Sequence, residues 1–173
     1  MLIIDSRENS KLSKLVIQKA QALKIPNEKK WIEIGDYVYD DVCFEAKSAI
    51  DFLGSVMSKR LWTQLDNMDR HYKTNVVIIH GDMQEAIMNI IEHSPSKMPI
   101  GSRSIMLHNK FLGAIGRITL DTDIKPFWLP TEEEAALVIT AICKMKPIER
   151  SVIEPQIFKR LTTGDLRIDL LSS

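Results

Sequence analysis

Apolar residues follow two spacings along this chain. Short apolar runs, which favour buried strands, occupy residues 1–5, 31–34, 75–79, 118–120 and 124–129. Apolar residues spaced three or four apart predict helices over about 10–25, 48–68, 84–92, 102–112 and 131–145, with a break near 57–60. Ser10, Ser48 and Thr131 are candidate caps at the starts of three of these helices. Short helices are also expected at 155–161 and 165–171. Strands that alternate with helices predict an α/β fold in which a mixed central β-sheet is flanked by helices on both faces.

The most informative stretch is 35–47, Gly-Asp-Tyr-Val-Tyr-Asp-Asp-Val-Cys-Phe-Glu-Ala-Lys. Aromatic and β-branched residues flank an acidic turn at 39–42, which predicts an antiparallel hairpin. Because alternate strand residues share a face, Glu45 and Lys47 should project together, with Asp36 reaching them from the neighbouring strand. The same string also fits a solvated hairpin with ordinary surface charges.

Two converging carboxylates suit a hard divalent cation, most naturally Mg²⁺, with Mn²⁺ as a substitute. A lysine beside them could position or deprotonate a metal-bound water, or steady a developing phosphate charge. The pattern therefore points to phosphodiester hydrolysis.

Composition limits the class of protein. The length of 173 residues predicts one domain, and 45% hydrophobic with 27% charged residues is ordinary for a soluble protein. The net charge is +0, so nucleic-acid binding would have to come from local patches. Cys43 and Cys143 lie on apolar stretches without metal-ligand spacing, which indicates buried reduced thiols.

Two further classes are disfavoured by what the sequence lacks. We see no signal peptide and no apolar stretch of the roughly 20 residues that cross a bilayer, so we expect an intracellular, cytoplasmic protein. The seven glycines are scattered and form no phosphate-binding loop, which disfavours a doubly wound nucleotide-binding protein.

Three motifs now form a more specific pattern. They are Ile4-Asp5-Ser6-Arg7-Glu8, Gly35-Asp36-Tyr37, and Glu45-Ala46-Lys47-Ser48 followed by Asp51. In this order they resemble the V-D-x-R-E, G-D-Y and E-R-K-S-x-x-D motifs of the XPF-type (Hef-like) structure-specific endonuclease domain, in the PD-(D/E)xK superfamily. The resemblance runs from residue 2 to about 146 and implies a restriction-endonuclease-like nuclease domain over residues 1–146.

The resemblance implies a metal-dependent DNA endonuclease that hydrolyses phosphodiesters in branched, forked or flapped DNA. We expect Asp36 and Glu45 to hold Mg²⁺, with the backbone carbonyl of Ala46 as a third oxygen ligand. Lys47 would be the catalytic lysine.

Further residues near the motifs have open roles. Glu8 could hold a metal through water or bind a second ion. Arg7 could contact the scissile phosphate or form a structural ion pair with a site carboxylate, and Asp5 could support Arg7 or join the metal shell. Candidate contacts to the DNA backbone lie on the helix after the hairpin: Lys59, Arg60 and Gln64.

Two departures from the family pattern matter. Ala46 replaces the arginine of E-R-K, which keeps the carboxylates and the lysine but removes a cation that could touch phosphate. The alternative function is therefore a catalytically weak or inactive junction-binding scaffold that acts with a partner. The extension 147–173 is too short for the tandem helix-hairpin-helix module that often follows such domains.

The resemblance also implies a homodimer, and a helix-hairpin-helix partner could supply the missing DNA contact. Candidate interface elements are the helix 131–145 and a set of apolar residues in the tail, which could equally pack on their own domain. The tail residues are Ile157, Phe158, Leu161, Ile168, Leu170 and Leu171.

Overall fold

The computed structural model describes residues 1–145. Within them, one mixed sheet has the strand order β2-β1-β3-β4-β5-β6. Strand β3 is antiparallel to β1 and β4, and all other neighbouring strands are parallel. The strands are β1 (Leu2–Asp5), β2 (Asn27–Lys30), β3 (Tyr37–Tyr39), β4 (Val42–Ser48), β5 (Thr74–His80) and β6 (Lys125–Leu129).

Helices cover both faces of this sheet, which confirms the predicted fold class. They are α1 (Lys11–Ala22), α2 (Ala49–Met57), α3 (Arg60–His71), α4 (Met83–His93), α5 (Ile100–Asp121) and α6 (Glu132–Lys144). Alternate residues of β5 divide between two cores. Val76 and Ile78 pack with α1 and α6, whereas Val77 and Ile79 pack with α2, α3, α4 and α5.

Side-chain caps begin three helices where the sequence predicted them. Ser10 Oγ accepts a hydrogen bond from Ser13 N–H at 3.1 Å at the start of α1. Ser48 caps α2 in the same way, and Thr131 caps α6. The predicted break after α2 is also present, because Lys59 adopts a left-handed φ of +62° before α3 begins.

Residues 31–34 are not a strand, which corrects one prediction. Their carbonyl groups are bound by side chains instead of a neighbouring strand. Arg7 Nη2 donates to the carbonyl of Ile32 at 2.6 Å, and Tyr72 Oη donates to that of Ile34 at 3.0 Å. The preceding β2 was missed because Asn-Glu-Lys-Lys is polar, as suits a strand at the edge of a sheet.

The predicted strand 118–120 is also wrong, since α5 continues through it. Gly113 and Gly116, two weak helix formers, follow directly after the predicted end of this helix at 112. Burial of Phe111, Ala114 and Ile118 along one face outweighs the weak helix propensity of these glycines.

Residues 1–143 form one compact unit. Cys43 and Cys143 are free and buried, as predicted. In the described part of the chain, every helix is too short or too polar to cross a membrane. The extension 147–173, its two predicted short helices (155–161 and 165–171) and its apolar residues lie outside the described residues.

Candidate metal centre

The β3–β4 hairpin holds Asp36 beside β4. The antiparallel register pairs Tyr37 with Phe44, so Asp36 stands one residue before β3 begins. Its N–H donates to the Phe44 carbonyl at 2.9 Å, and its Oδ2 accepts from the Ala46 N–H at 2.8 Å. The Asp36 carboxylate therefore takes the place of a further strand residue in the ladder.

Gly35 makes this entry into β3 possible. Its φ is +95°, a conformation that favours glycine. A Cβ at this position would overlap with Cys43 Sγ. The glycine of the Gly-Asp-Tyr motif thus sets the backbone that carries Asp36.

Glu45 and Lys47 project from the same face of β4, as the alternation predicted. Lys47 Nζ lies 3.5 Å from Glu45 Oε1. The two side chains are only 10% and 13% exposed, for Lys47 and Glu45 respectively. The pair is therefore largely shielded from water, at the end of the strand where Asp36 also lies.

Burial disfavours the charged form of both carboxyl groups. Burial raises the pKa of Asp36 well above its usual value, and the charge of Glu45 raises it further, against the Ala46 N–H. Burial also raises the pKa of Glu45, while Lys47 opposes the rise and Glu8 adds to it. A single lysine does not balance these carboxylates, so the site favours an added cation.

The carbonyl of Ala46 points to the same side of β4 as Asp36. The N–H and C=O of one strand residue point to the same side of the strand. Since the Ala46 N–H points to Asp36, its carbonyl points to the side of β4 where β3 has ended. The backbone thus offers an oxygen next to the two carboxylates.

These donors fit Mg²⁺. Within residues 1–145, no cluster of three or more His, Cys, Asp or Glu side chains is arranged to hold a metal. The protein ligands would be the carboxylates of Asp36 and Glu45 and the carbonyl of Ala46. A partial set of hard oxygen donors is what Mg²⁺ takes, because it keeps several of its waters.

Arg7 is anchored by its surroundings. Its Nε and Nη2 donate to Asp5 Oδ2 at 3.0 and 2.7 Å, and its guanidinium lies 5.6 Å from the ring centroid of Trp31. Asp5 thus supports Arg7, the first of its two predicted roles. Among the described residues Arg7 Nη1 has no hydrogen-bond acceptor, and the side chain is 59% exposed, so Nη1 can still meet a phosphate.

Comparison with known proteins identifies the family. The ERCC4 domain model matches residues 4–142, most of the chain. This chain belongs to the ERCC4 domain family. DNA repair endonuclease XPF of Drosophila melanogaster is 27% identical over 148 residues, which cover 84% of this chain and 15% of that protein. The 3′-flap repair endonuclease Xpf of Saccharolobus solfataricus is 27% identical over 114 residues, 65% of this chain and 42% of that protein.

The chain spans less than half the length of these two ERCC4 relatives. XPF from Aeropyrum pernix, solved in complex with DNA, superposes with a TM-score of 0.64 at 22% identity. The match covers 99% of this chain and 72% of that one. The resemblance to the XPF-type nuclease domain is confirmed, and so is the fold.

In this ERCC4 domain, the predicted DNA contacts separate into two sets. Lys59 and Arg60 are exposed at the start of α3. Gln64 instead lines a small cavity of about 140 Å³, together with Glu45 and Asn67. Its buried Oε1 has no hydrogen-bond partner among the described residues. Gln64 thus belongs beside the carboxylate site rather than to an outer surface.

Two residues near the centre were missed by sequence reasoning. His80 ends β5 and is only partly exposed. Tyr37 is fully buried, and its hydroxyl has no hydrogen-bond partner in residues 1–145. For His80, the apolar run directly before it was a usable signal, since it extends the strand by one residue.

Proposed function

We propose that this ERCC4 domain is a Mg²⁺-dependent endonuclease that hydrolyses phosphodiesters in branched, forked or flapped DNA. The observation that carries this proposal is the joint placement of Asp36, Glu45, Lys47 and the Ala46 carbonyl at the end of β4. Relatives named as DNA repair and 3′-flap repair endonucleases support it.

Each residue has a task in this reaction. When bound, Mg²⁺ would polarise the scissile phosphate and neutralise the charge that develops on it. Asp36 and Glu45 hold the metal, and the Ala46 N–H keeps Asp36 in place. Lys47 Nζ, next to Glu45, donates a hydrogen bond that orients the attacking water. Glu8 is close enough for its negative charge to act on both Asp36 and Glu45.

DNA contacts would surround this centre. Arg7 presents its Nη1 to a phosphate, while Asp5 fixes the rest of the guanidinium. Lys59 and Arg60, exposed at the start of α3, would hold the backbone further along. The neutral overall charge makes such local contacts necessary.

We also propose that the domain acts as a homodimer in the cytoplasm. The buried free thiols of Cys43 and Cys143 fit a reducing compartment. Of the predicted interface helix α6, Ala135, Ile139 and Cys143 pack on their own sheet, and Leu137 is 51% exposed. A helix-hairpin-helix partner is the alternative source of further DNA contacts.

One observation favours a second function. Ala46 stands where the E-R-K motif has arginine, so β4 lacks one cation that could contact phosphate. A scaffold that binds junctions without cutting them would tolerate this loss.

Cleavage of labelled DNA distinguishes these functions. Flap, fork, four-way-junction and linear duplex DNAs are incubated with Mg²⁺, Mn²⁺ or EDTA, with wild type, Asp36→Asn and Asp123→Asn. Asp123 is exposed and distant in sequence from the motifs, so its variant is the matched control. The nuclease is supported if the DNA is cut near its branch, if this cutting needs metal, and if it is lost only in Asp36→Asn. Tight junction binding without cutting in any metal supports the scaffold.

A further inference from the structure

A groove lies on the face of the sheet opposite to Glu45 and Lys47. Because strand residues alternate, the Ala46 side chain points to the face covered by α1 and α6. The groove above it has a volume of about 390 Å³. An arginine at position 46 would extend into this space. Its lining includes Glu8, Lys11, Ala46, Asp51, His80 and Glu132.

The groove carries more negative than positive groups. Glu8, Asp51 and Glu132 contribute carboxylates. Burial lowers the pKa of His80, against the charges of Glu132 and Asp51, so its ring is neutral at neutral pH. Lys11 is therefore the permanent cation of this lining. In the described part of the chain it has no ion-pair partner within 4.0 Å.

We propose that Lys11 supplies the phosphate-binding cation that β4 lacks at Ala46. Arginine at position 46 would enter the groove from its floor, whereas Lys11 enters from its wall, at the first turn of α1. Both place positive charge beside Glu8, whose own charge reaches Asp36 and Glu45. A lysine binds phosphate as a compact point charge on a flexible stem.

The position of Lys11 adds to its suitability. It is the first residue of α1, where the unpaired N–H groups and the helix dipole favour an anion. This inference rests on the proposed function, since the phosphate belongs to the DNA that the domain cuts.

The test compares four variants on one fork DNA. They are Lys11→Ala, Lys11→Arg, Lys14→Ala and the double variant Lys11→Ala with Ala46→Arg. Lys14 is also exposed on α1, one turn later, and is the matched control. Affinity is measured from 50 to 200 mM salt with Ca²⁺ in place of Mg²⁺, after the DNA is shown to stay intact. Cleavage with Mg²⁺ and the melting temperature are measured in parallel.

We expect Lys11→Ala to weaken fork binding about tenfold and to reduce the slope of log affinity against log salt by about 0.9, the loss of one phosphate contact. Lys11→Arg and Lys14→Ala should match wild type in both quantities. Ala46→Arg should restore affinity and slope in the Lys11→Ala background, because it returns a cation to the same groove.

Other outcomes overturn the inference. One such outcome is that wild type cuts the fork while Lys11→Ala binds it with the same affinity and the same salt dependence as Lys14→Ala. Lys11 would then contact no phosphate, and this inference would fail while the proposed function is retained. A loss in Lys11→Ala that Ala46→Arg does not correct excludes the replacement. If wild type neither binds nor cuts any branched DNA, the proposed function fails, and this inference fails with it.

Discussion

The Ala46 N–H donates a hydrogen bond of 2.8 Å to Asp36 Oδ2, across the end of the β3–β4 ladder. This bond fixes one carboxylate of the site to the strand that carries the other, Glu45. It also orients the Ala46 carbonyl, since both groups of a strand residue point to one side. One backbone residue thus organises the whole candidate metal centre.

Replacement of Asp36 by Asn should stabilise the metal-free protein. The pKa of Asp36 is raised in the folded state, so its contribution to stability is complete below its ordinary pKa of 3.8 and is lost as pH rises through the folded value. Asparagine keeps an acceptor for the Ala46 N–H but carries no charge. At pH 7 we expect a rise of about 2–4 °C in melting temperature, as about 1 kcal/mol would give.

Mg²⁺ should reverse the order of stability between wild type and Asp36→Asn. In wild type the cation offsets the repulsion between Asp36 and Glu45, so Mg²⁺ should raise the melting temperature, and it should do so little in Asp36→Asn. Differential scanning calorimetry at pH 5 and pH 7, with Mg²⁺ or EDTA, measures both effects. Equal responses of the two proteins to Mg²⁺ would remove Asp36 from the metal site.

Replacement of Lys47 by Met should separate catalysis from metal binding. The variant keeps the length of the side chain and loses the Nζ beside Glu45. We expect cleavage to fall about 10²–10³-fold, the usual cost of removing one positioned hydrogen-bond donor from a catalytic site. The thermal response to Mg²⁺ should be retained, because the carboxylates remain. Lys73→Met, at an exposed position, is the control; a cleavage rate shared by both variants would remove Lys47 from the reaction.

Replacement of Gly35 by Ala should damage the centre through the backbone. The added Cβ would meet Cys43 Sγ, and the φ of +95° is unfavourable for alanine. We expect a loss of about 2–4 kcal/mol in the free energy of unfolding. Gly54→Ala is the contrast, since nothing lies within 4 Å of its added Cβ in α2, and a gain of about 0.5–1 kcal/mol is expected. Urea unfolding measures the free energy of unfolding of both variants. Equal changes in the two variants would show that Gly35 is not constrained.

The Asp5–Arg7 pair should make the free energy of unfolding depend on pH in the acid range. Burial raises the pKa of Asp5, but the hydrogen bonds and charge of Arg7 outweigh it and hold the pKa below the ordinary 3.8. The contribution of Asp5 is therefore present above pH 3.8 and is lost as pH falls through the lower folded value. Asp5→Asn should lower the free energy of unfolding by about 1–3 kcal/mol at pH 7 and by less at pH 3.

Urea unfolding between pH 2.5 and pH 7 tests this dependence. Asp41→Asn, in the exposed hairpin turn, should follow the wild-type curve. A constant difference between Asp5→Asn and wild type at every pH would show that the charge of Asp5 is not what stabilises the fold.

The sequence predicted the hairpin and its side-chain directions because strand alternation is a local property. It also indicated the caps at Ser10, Ser48 and Thr131 for the same reason. Residues 31–34 were misassigned because their carbonyls are taken by Arg7 and Tyr72, which are distant in the chain. Local pattern carries no information on such contacts.

The groove over Ala46 could not be predicted either. It brings together α1, β5 and the start of α6, whose residues Lys11, His80 and Glu132 are far apart in sequence. The unpaired hydroxyl of Tyr37 is likewise a property of packing. The motif showed that a cation was missing from position 46, and only the fold shows which residue lies nearby.

The most direct test of the account is the cleavage rate of a fork compared with a linear duplex of the same sequence, in Mg²⁺. Wild type, Glu45→Gln and the exposed control Glu92→Gln are compared. We expect wild type and Glu92→Gln to cut the fork near its branch and to leave the duplex largely intact, and we expect Glu45→Gln to cut neither. Equal cutting of fork and duplex, or cutting by Glu45→Gln at the wild-type rate, would contradict it.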